Sequence, residues 1–148
     1  MKPSASPLAT IGYENDTLDG LIGRLKAAGV ETLVDVRAMA ASRRPGFSKT
    51  LLGNSLRAEG VTYVHLRPLG TPKAGREAAR RGRTDEMREI FHAHLAEPAA
   101  QMALAEATAL ASETRVALLC YEREAACCHR AIVADEIRAR LKCEVVDL

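Results

Sequence analysis

The sequence predicts a single α/β domain of three layers, in which a mostly parallel sheet of about five strands lies between helices on both faces. Short apolar runs typical of strands alternate with segments whose apolar residues recur at helical spacing. The run Val30–Val36 has β-branched residues on both faces, as a central parallel strand requires. At 148 residues without an internal repeat, the chain has the length of one domain with its own core.

The predicted domain spans residues 8–148 and follows a flexible tail at residues 1–7. Strands are expected at Leu8–Gly12, Val30–Val36, Val61–His65, Val116–Cys120 and Cys143–Asp147. Helices are expected at Leu18–Ala28, Lys49–Ala58, Thr84–Leu95, Pro98–Ser112 and in the segment after His129 that ends at Leu141. The prolines and glycines between residues 67 and 83 predict an irregular loop there.

Composition narrows the possible classes of protein. Hydrophobic residues make up 47% of the chain and charged residues 27%, as in ordinary soluble domains. No apolar run approaches the roughly 20 residues that span a bilayer, so we expect no membrane association. The first seven residues lack the apolar region of a signal peptide, which indicates a cytoplasmic protein. In that compartment the four cysteines are expected to be free, metal-bound or catalytic rather than paired.

The strongest functional pattern lies between the fourth strand and the last helix. The strand ends at Cys120, Glu122 follows, and the helix begins near Cys128, His129 and Arg130. A helix N-terminus offers free backbone N–H groups and a positive dipole end, which stabilise a thiolate or a bound anion. We therefore expect Cys120 or Cys128 as nucleophile, with Cys128 the more easily ionised. His129 would act as acid or base, Glu122 would orient these groups, and Arg130 would bind an anion.

Each of these side chains also has a purely structural interpretation. The two cysteines are small enough to be ordinary core residues. His129 would then be a packing or capping histidine. Arg130 would form a buried ion pair with Glu122 or Asp35, because buried charges are usually paired.

Other strand ends add polar groups to the same region. Asp35 and Arg37 are alternate residues at the end of the second strand, so they face the same side of the sheet. Asp35 interrupts an apolar run, which is costly unless the carboxylate is paired or functional. Tyr13 follows the first strand, and Ser42 and Arg43 lie in the loop after the second. We expect one crevice at the carboxyl ends of the strands, where Asp35 orients the catalytic groups and the other four residues bind substrate.

Several short motifs occur in a fixed order along the chain. They are Thr10-Ile-Gly-Tyr-Glu14, Val34-Asp-Val-Arg37, Ser42-Arg43 with Pro45-Gly-Phe-Ser48, Leu69-Gly70, and Leu118-Leu-Cys-x-Glu122 followed by Cys128-His-Arg130. Together they resemble a widespread bacterial family catalogued as domain of unknown function 488. The resemblance implies a single α/β domain in a soluble bacterial protein and supplies no activity. Ala125 stands where the family usually has Pro, and Cys127 is not part of the pattern.

A fainter similarity connects the chain to the rhodanese-like sulfurtransferases. A strand ending in Asp-Val-Arg, together with a strand ending in cysteine, is similar to that fold. The short loop from cysteine to arginine in those enzymes is not matched, because Arg123 is too close to Cys120 and Arg130 is too far from it.

Three kinds of function follow from these patterns. The first is an enzyme acting on an anionic small molecule, nucleotide-like or containing sulfur, at the Cys/His/Arg crevice. The second is a nucleic-acid-associated binding module that uses residues 67–88, which contain seven basic and three acidic residues. The third is a metal-binding protein through Cys120, Cys128 and His129, although their spacing is not a zinc signature. The sequence identifies no cofactor and no oligomeric state.

Overall fold

The computed structural model describes residues 6–122 and 128–148, and it confirms the predicted α/β fold. The strands are β1 (Leu8–Gly12), β2 (Thr32–Asp35), β3 (Thr62–His65), β4 (Val116–Cys120) and β5 (Val145–Asp147). They form one parallel sheet in the order β3-β2-β4-β1-β5. Residues 1–5 of the expected tail lie outside the described part of the chain.

Within the described ranges, six helices cover the two faces of the sheet. They are α1 (Leu18–Ala27), α2 (Lys49–Ala58), α3 (Lys73–Arg80), α4 (Thr84–Leu95), α5 (Pro98–Glu113) and α6 (Arg130–Leu141), with a 3-10 turn at Arg67–Leu69. The apolar faces of α1 and α2 pack on one side of the sheet, and those of α3 to α6 pack on the other. The predicted three layers are therefore present. None of these six helices is long and apolar enough to cross a membrane.

Strand periodicity divides the core into two halves. Along the central strands, Val34 and Leu118 face the layer of α3 to α6, whereas Leu33 and Leu119 face α1 and α2. All four side chains are fully buried. This explains why β2 and β4 are apolar at consecutive positions, since a parallel strand covered on both faces has no solvent side.

The predicted irregular loop at residues 67–83 is wrong, because the 3-10 turn and α3 occupy most of this range. Pro72 immediately precedes α3, where its missing N–H removes no helical hydrogen bond. Gly82, with φ of +75°, follows the end of the helix. Gly75 lies inside α3, where a Cβ would stand 2.4 Å from the side chain of Thr71. Pro72 and Gly82, which suggested a loop, therefore lie at the two ends of a helix. Gly75 lies inside it, where there is little space for a side chain.

The chain connections leave a gap between the carboxyl ends of β2 and β4. After β2 the chain moves outward to β3, whereas after β4 it passes β1 to reach β5. Adjacent strands whose connections leave in opposite directions create the crevice in which open α/β sheets bind ligands. Asp35 is in register with Leu119, so the ends of β2 and β4 lie at the same level of the sheet. The predicted convergence of these two strand ends is confirmed.

Candidate active site

A cavity of about 400 Å³ opens at this gap, and we call it the thiol crevice. It lies at the ends of β1, β2 and β4, between the start of α6 and one side of α3. Its chemically reactive or charged lining residues are Tyr13, Arg37, Arg76, Arg80, Cys120, Glu122, Cys128 and His129. Four other predicted site residues, Asp35, Ser42, Arg43 and Arg130, are not part of this lining.

A larger groove, of about 960 Å³, runs between α5 and the loop that follows β2. Its wall is mostly alanine and methionine side chains, including the exposed Met39 and Met102. It contains none of the cysteines, and His65 at the end of β3 is its one lining residue from a strand. Cys120 and Cys128, with His129, lie instead in the smaller thiol crevice.

Cys120 and Cys128 meet because the last residue of β4 and the start of α6 pack in the same half of the core. Their sulfur atoms form a disulfide, so the expectation of unpaired cysteines is wrong for these two residues. Their Cα atoms are 7.5 Å apart, wider than the roughly 4.4–6.8 Å usual for a disulfide. Cys143 is free, as expected, and Cys127 lies outside the described residues, as do Arg123 and Ala125.

His129 lies beside the sulfur atoms of Cys120 and Cys128, and one of its ring nitrogens makes a hydrogen bond to the backbone. Its Nε2 is 2.7 Å from the carbonyl oxygen of Val36. A carbonyl oxygen can only accept, so Nε2 carries the proton, and Nδ1, 3.5 Å from the sulfur of Cys128, keeps its lone pair. Burial lowers the pKa of His129 to about 4, with a smaller contribution from the positive charge of Arg130. The imidazole is therefore neutral and turns its basic nitrogen towards Cys128.

Arg130 is completely buried behind the thiol crevice. Its Nη1 lies 3.2 Å from the sulfur of Cys120 and donates to the backbone carbonyl of Glu122. This contact places the positive charge of Arg130 beside the sulfur of Cys120. From the sequence, Cys128 was expected to be the more easily ionised of the two cysteines. The carboxylate oxygen Oε2 of Glu122 is 3.3 Å from the same sulfur. Burial raises the pKa of Glu122, although its own backbone N–H and the charge of Arg130 oppose that shift.

Asp35 and Arg37 form a buried ion pair at the end of β2. Both carboxylate oxygens accept from Nε of Arg37, at 2.9 and 3.0 Å, and Oδ2 also accepts from Nη2 at 2.7 Å. The hydroxyl of Tyr63 donates to Oδ2 at 2.5 Å. Burial alone would lower the pKa of Arg37, but Asp35 raises it above its ordinary value. Asp35 thus interrupts an apolar strand as a paired carboxylate that fixes Arg37.

Arg37 in turn holds the aromatic wall of the thiol crevice. Its Nη1 donates to the hydroxyl of Tyr13 at 3.1 Å and to the carbonyl of Phe47 at 2.8 Å. The ring of Tyr13 stacks on Phe47, with centroids 4.5 Å apart, and meets Tyr121 edge-on at 5.3 Å. Because these bonds and the ion pair with Asp35 engage the guanidinium, Arg37 supports the cavity wall rather than presenting open donors to the cavity.

Two arginines that the sequence placed in a nucleic-acid-binding segment line the thiol crevice. Arg76 and Arg80 are four residues apart on α3, so they lie on one face of the helix. Nη1 of Arg76 donates to the carbonyl of Thr71 at 2.8 Å, and Arg80 is exposed. Their spacing of four residues could have been read from the sequence. Because a loop was expected at residues 67–83, this spacing was not interpreted as one face of a helix.

A family model described as domain of unknown function DUF488 matches residues 17–137. The chain belongs to the DUF488 family. This confirms the family that the sequence motifs suggested. No curated protein and no solved structure matches the chain.

The DUF488 match covers most of the thiol crevice. It includes Arg37 at the end of β2, the two arginines of α3, and the cysteines with His129, whereas Tyr13 at the end of β1 lies outside it. The DUF488 description assigns no reaction to these residues. Their chemistry must therefore be inferred from their geometry in this chain.

The loop after β2 does not bring Ser42 or Arg43 to the cavity of this DUF488 protein. The hydroxyl of Ser42 accepts from the N–H of Arg44 at 3.1 Å, and Arg43 is exposed outside the lining. Arg44, which the sequence did not single out, donates to the carbonyls of Tyr13 and Asp16 at 3.2 and 2.7 Å. The loop therefore supports the wall of the crevice from behind.

Proposed function

We propose that the thiol crevice is the active site of an enzyme that acts on an anionic small molecule, nucleotide-like or containing sulfur. The observation that supports this proposal is convergence, because two sulfur atoms, a neutral histidine and three arginines meet around one cavity. A volume of about 400 Å³ is within the range of cavities that hold small ligands.

The charges around the cavity favour an anion. Three arginines line it against a single acidic residue, Glu122. Arg76 and Arg80 would contact the anion directly, whereas Arg37, paired with Asp35, would hold the wall of the cavity. We therefore propose Arg76 and Arg80 as anion-binding residues in place of Arg43, because Arg43 does not line the cavity.

In the reduced protein, Cys128 would be the nucleophile and His129 its base. The thiol proton passes to Nδ1 of His129, the sulfur bonds to an electrophilic carbon of the substrate, and the bond to the leaving group breaks. The leaving group departs with the proton held by His129. Tyr13 would shape the binding wall, and Asp35 would act as a positioning residue through Arg37.

The proposed chemistry needs the Cys120–Cys128 pair in its dithiol form, because a disulfide sulfur is not a nucleophilic thiolate. The cytoplasmic location expected from the sequence would supply reducing conditions. Arg130 would then stabilise negative charge on Cys120, next to the reacting thiol.

The test uses reduced, chelator-treated protein and an activated anionic ester, p-nitrophenyl hemisuccinate, with neutral p-nitrophenyl acetate as the comparison. Acyl transfer to Cys128 should release a burst of p-nitrophenolate of about one equivalent per chain. The burst should be faster with the anionic ester and absent in Cys128→Ala. Cys143→Ala removes a free thiol away from the crevice and should leave the burst unchanged.

Two outcomes would overturn this proposal. The first is no burst with either ester, together with a Cys128 that resists alkylation until the protein unfolds. The second is tight binding of an oligonucleotide whose salt dependence flattens in Arg81→Gln/Arg83→Gln, with no small-molecule reaction found. That second result would favour a nucleic-acid module using the exposed side of residues 67–88.

A further inference from the structure

The sulfur pair and His129 also have the features of a metal site, which is a property separate from the proposed reaction. The ligand atoms of Cys120, Cys128 and His129 all lie within 4.8 Å of one another. All three side chains are buried. Thiolate sulfur and imidazole nitrogen are the ligands that Zn²⁺ favours, so the donor set suits a thiophilic cation rather than Mg²⁺ or Ca²⁺.

The orientation of His129 is that of a metal ligand. Histidines that bind metals commonly donate their second ring N–H to a backbone carbonyl or a carboxylate, which fixes the tautomer and the ring plane. Here Nε2 donates to the carbonyl of Val36 at 2.7 Å. Nδ1 is left to face the sulfur of Cys128, at 3.5 Å. The lone pair that a metal needs is therefore already directed at the sulfur pair.

The backbone spacing suits a bridging ion. Cys120 and Cys128 have Cα atoms 7.5 Å apart, and a separation above about 7 Å is wider than a disulfide bridges without backbone movement. A tetrahedral ion with two Zn–S bonds of about 2.3 Å holds its sulfurs about 3.8 Å apart. The two reduced cysteines can thus bind one ion between their sulfur atoms, although their Cα atoms are far apart for a disulfide.

The surroundings supply charge balance and an open coordination position. Nη1 of Arg130, 3.2 Å from the sulfur of Cys120, can donate to that sulfur as an outer contact. Two thiolates are balanced by the divalent ion. The thiol crevice opens on the same atoms, with Glu122 at its wall. Three protein ligands and one position open to a cavity are the arrangement of catalytic rather than structural zinc sites.

We propose that the reduced protein binds one Zn²⁺ ion through the sulfurs of Cys120 and Cys128 and Nδ1 of His129, with the fourth position facing the thiol crevice. Binding releases the two thiol protons. The ion binds the sulfur of Cys128, which is the nucleophile in the proposed reaction. The zinc-bound form and the form with a reactive thiol therefore exclude each other. Zinc would therefore be an inhibitor of the proposed reaction.

The test titrates Co²⁺, as a spectroscopic substitute for Zn²⁺, into the full-length reduced protein. We expect a sulfur-to-cobalt charge-transfer band that saturates at one equivalent and disappears when Zn²⁺ is added. Cys120→Ser, Cys128→Ser and His129→Gln should each weaken binding by at least about 100-fold, because even groups behind a ligand contribute about 10–100-fold. Cys143→Ser and Cys127→Ser are the matched controls and should bind normally.

A second measurement on the unaltered chain avoids variants that fail to fold. Zn²⁺ should protect Cys120 and Cys128 from alkylation, while Cys143 remains as reactive as in the metal-free protein. The absence of a charge-transfer band in the reduced protein, or equal protection of Cys143, would overturn the metal proposal. The ester burst of chelator-treated protein is a separate readout, so failure of the metal site and failure of the proposed reaction are distinguishable.

Discussion

At the scale of single residues, the buried pair of Asp35 and Arg37 supports one wall of the thiol crevice. Asp35 is 0% exposed and Arg37 is 5% exposed, and the carboxylate also accepts from Tyr63. Through Arg37, this carboxylate reaches Tyr13 and Phe47 on the next wall. A change at Asp35 should therefore affect both the stability of the domain and the position of the arginine.

Replacement of Asp35 by Asn tests this role. The variant leaves the guanidinium of Arg37 buried without its countercharge, so the free energy of unfolding should fall by about 3–5 kcal/mol. Urea unfolding of the reduced protein measures the change. The matched control is Glu59→Gln, which removes the exposed pair between Glu59 and Lys26 and should cost less than about 1 kcal/mol. Similar losses in the two variants would contradict a structural role for the buried pair.

At the scale of elements, the turn before α3 packs directly against the chain that leaves β2. A Cβ on Gly70 would stand 2.2 Å from the backbone nitrogen of Ala38, the residue after Arg37. Ala38 is also part of the crevice wall. Gly70 therefore permits the turn and the end of β2 to approach closely, and the Leu69-Gly70 motif has a packing explanation.

Gly70→Ala should destabilise the protein by about 1–3 kcal/mol, because the backbone of Ala38 must move to accept the new methyl group. Gly23→Ala is the matched control, since Gly23 is exposed inside α1 and a Cβ there meets nothing within 4 Å. That change should stabilise the protein by about 0.5–1 kcal/mol through the higher helix propensity of Ala. Thermal and urea unfolding compare the two variants. An equal gain in stability for Gly70→Ala would show that the close contact is absent.

At the scale of the whole molecule, the sequence predicted the sheet and the two helical layers. It also predicted that the strands end at one edge of the sheet, where the crevice lies. These features follow from local apolar periodicity and from the rule that parallel strands end at one side. The partners of individual side chains could not be predicted in this way. Asp35 was expected to be paired or functional, and the structure shows its carboxylate bonded both to Arg37 and to Tyr63 of the neighbouring strand.

The helical state of α3 also could not be read from composition. Its prolines and glycines are compatible with a loop, whereas in the structure Pro72 precedes the helix and Gly75 lies within it, close to the side chain of Thr71. With that helix in place, Arg76 and Arg80 line the thiol crevice. The proposed anion contacts therefore depend on a helix that the composition of this segment did not predict.

The central claim, that an anion binds beside a reactive thiol in this crevice, is tested most directly by alkylation with reagents of different charge. Reduced, chelator-treated protein is reacted with anionic iodoacetate and neutral iodoacetamide, and peptide mapping gives the rate at Cys128. The unfolded protein supplies the reference ratio of the two rates. Arg76→Gln/Arg80→Gln removes the proposed anion contacts, and Arg81→Gln/Arg83→Gln removes equal charge from exposed positions outside the crevice lining.

We expect the folded protein to favour iodoacetate by at least about tenfold relative to the unfolded reference, since one charge-assisted hydrogen bond contributes about 1.5–3 kcal/mol. That preference should be lost in Arg76→Gln/Arg80→Gln and retained in Arg81→Gln/Arg83→Gln. A ratio equal to that of the unfolded chain, or an equal loss in the two double variants, would contradict an anion-binding thiol site.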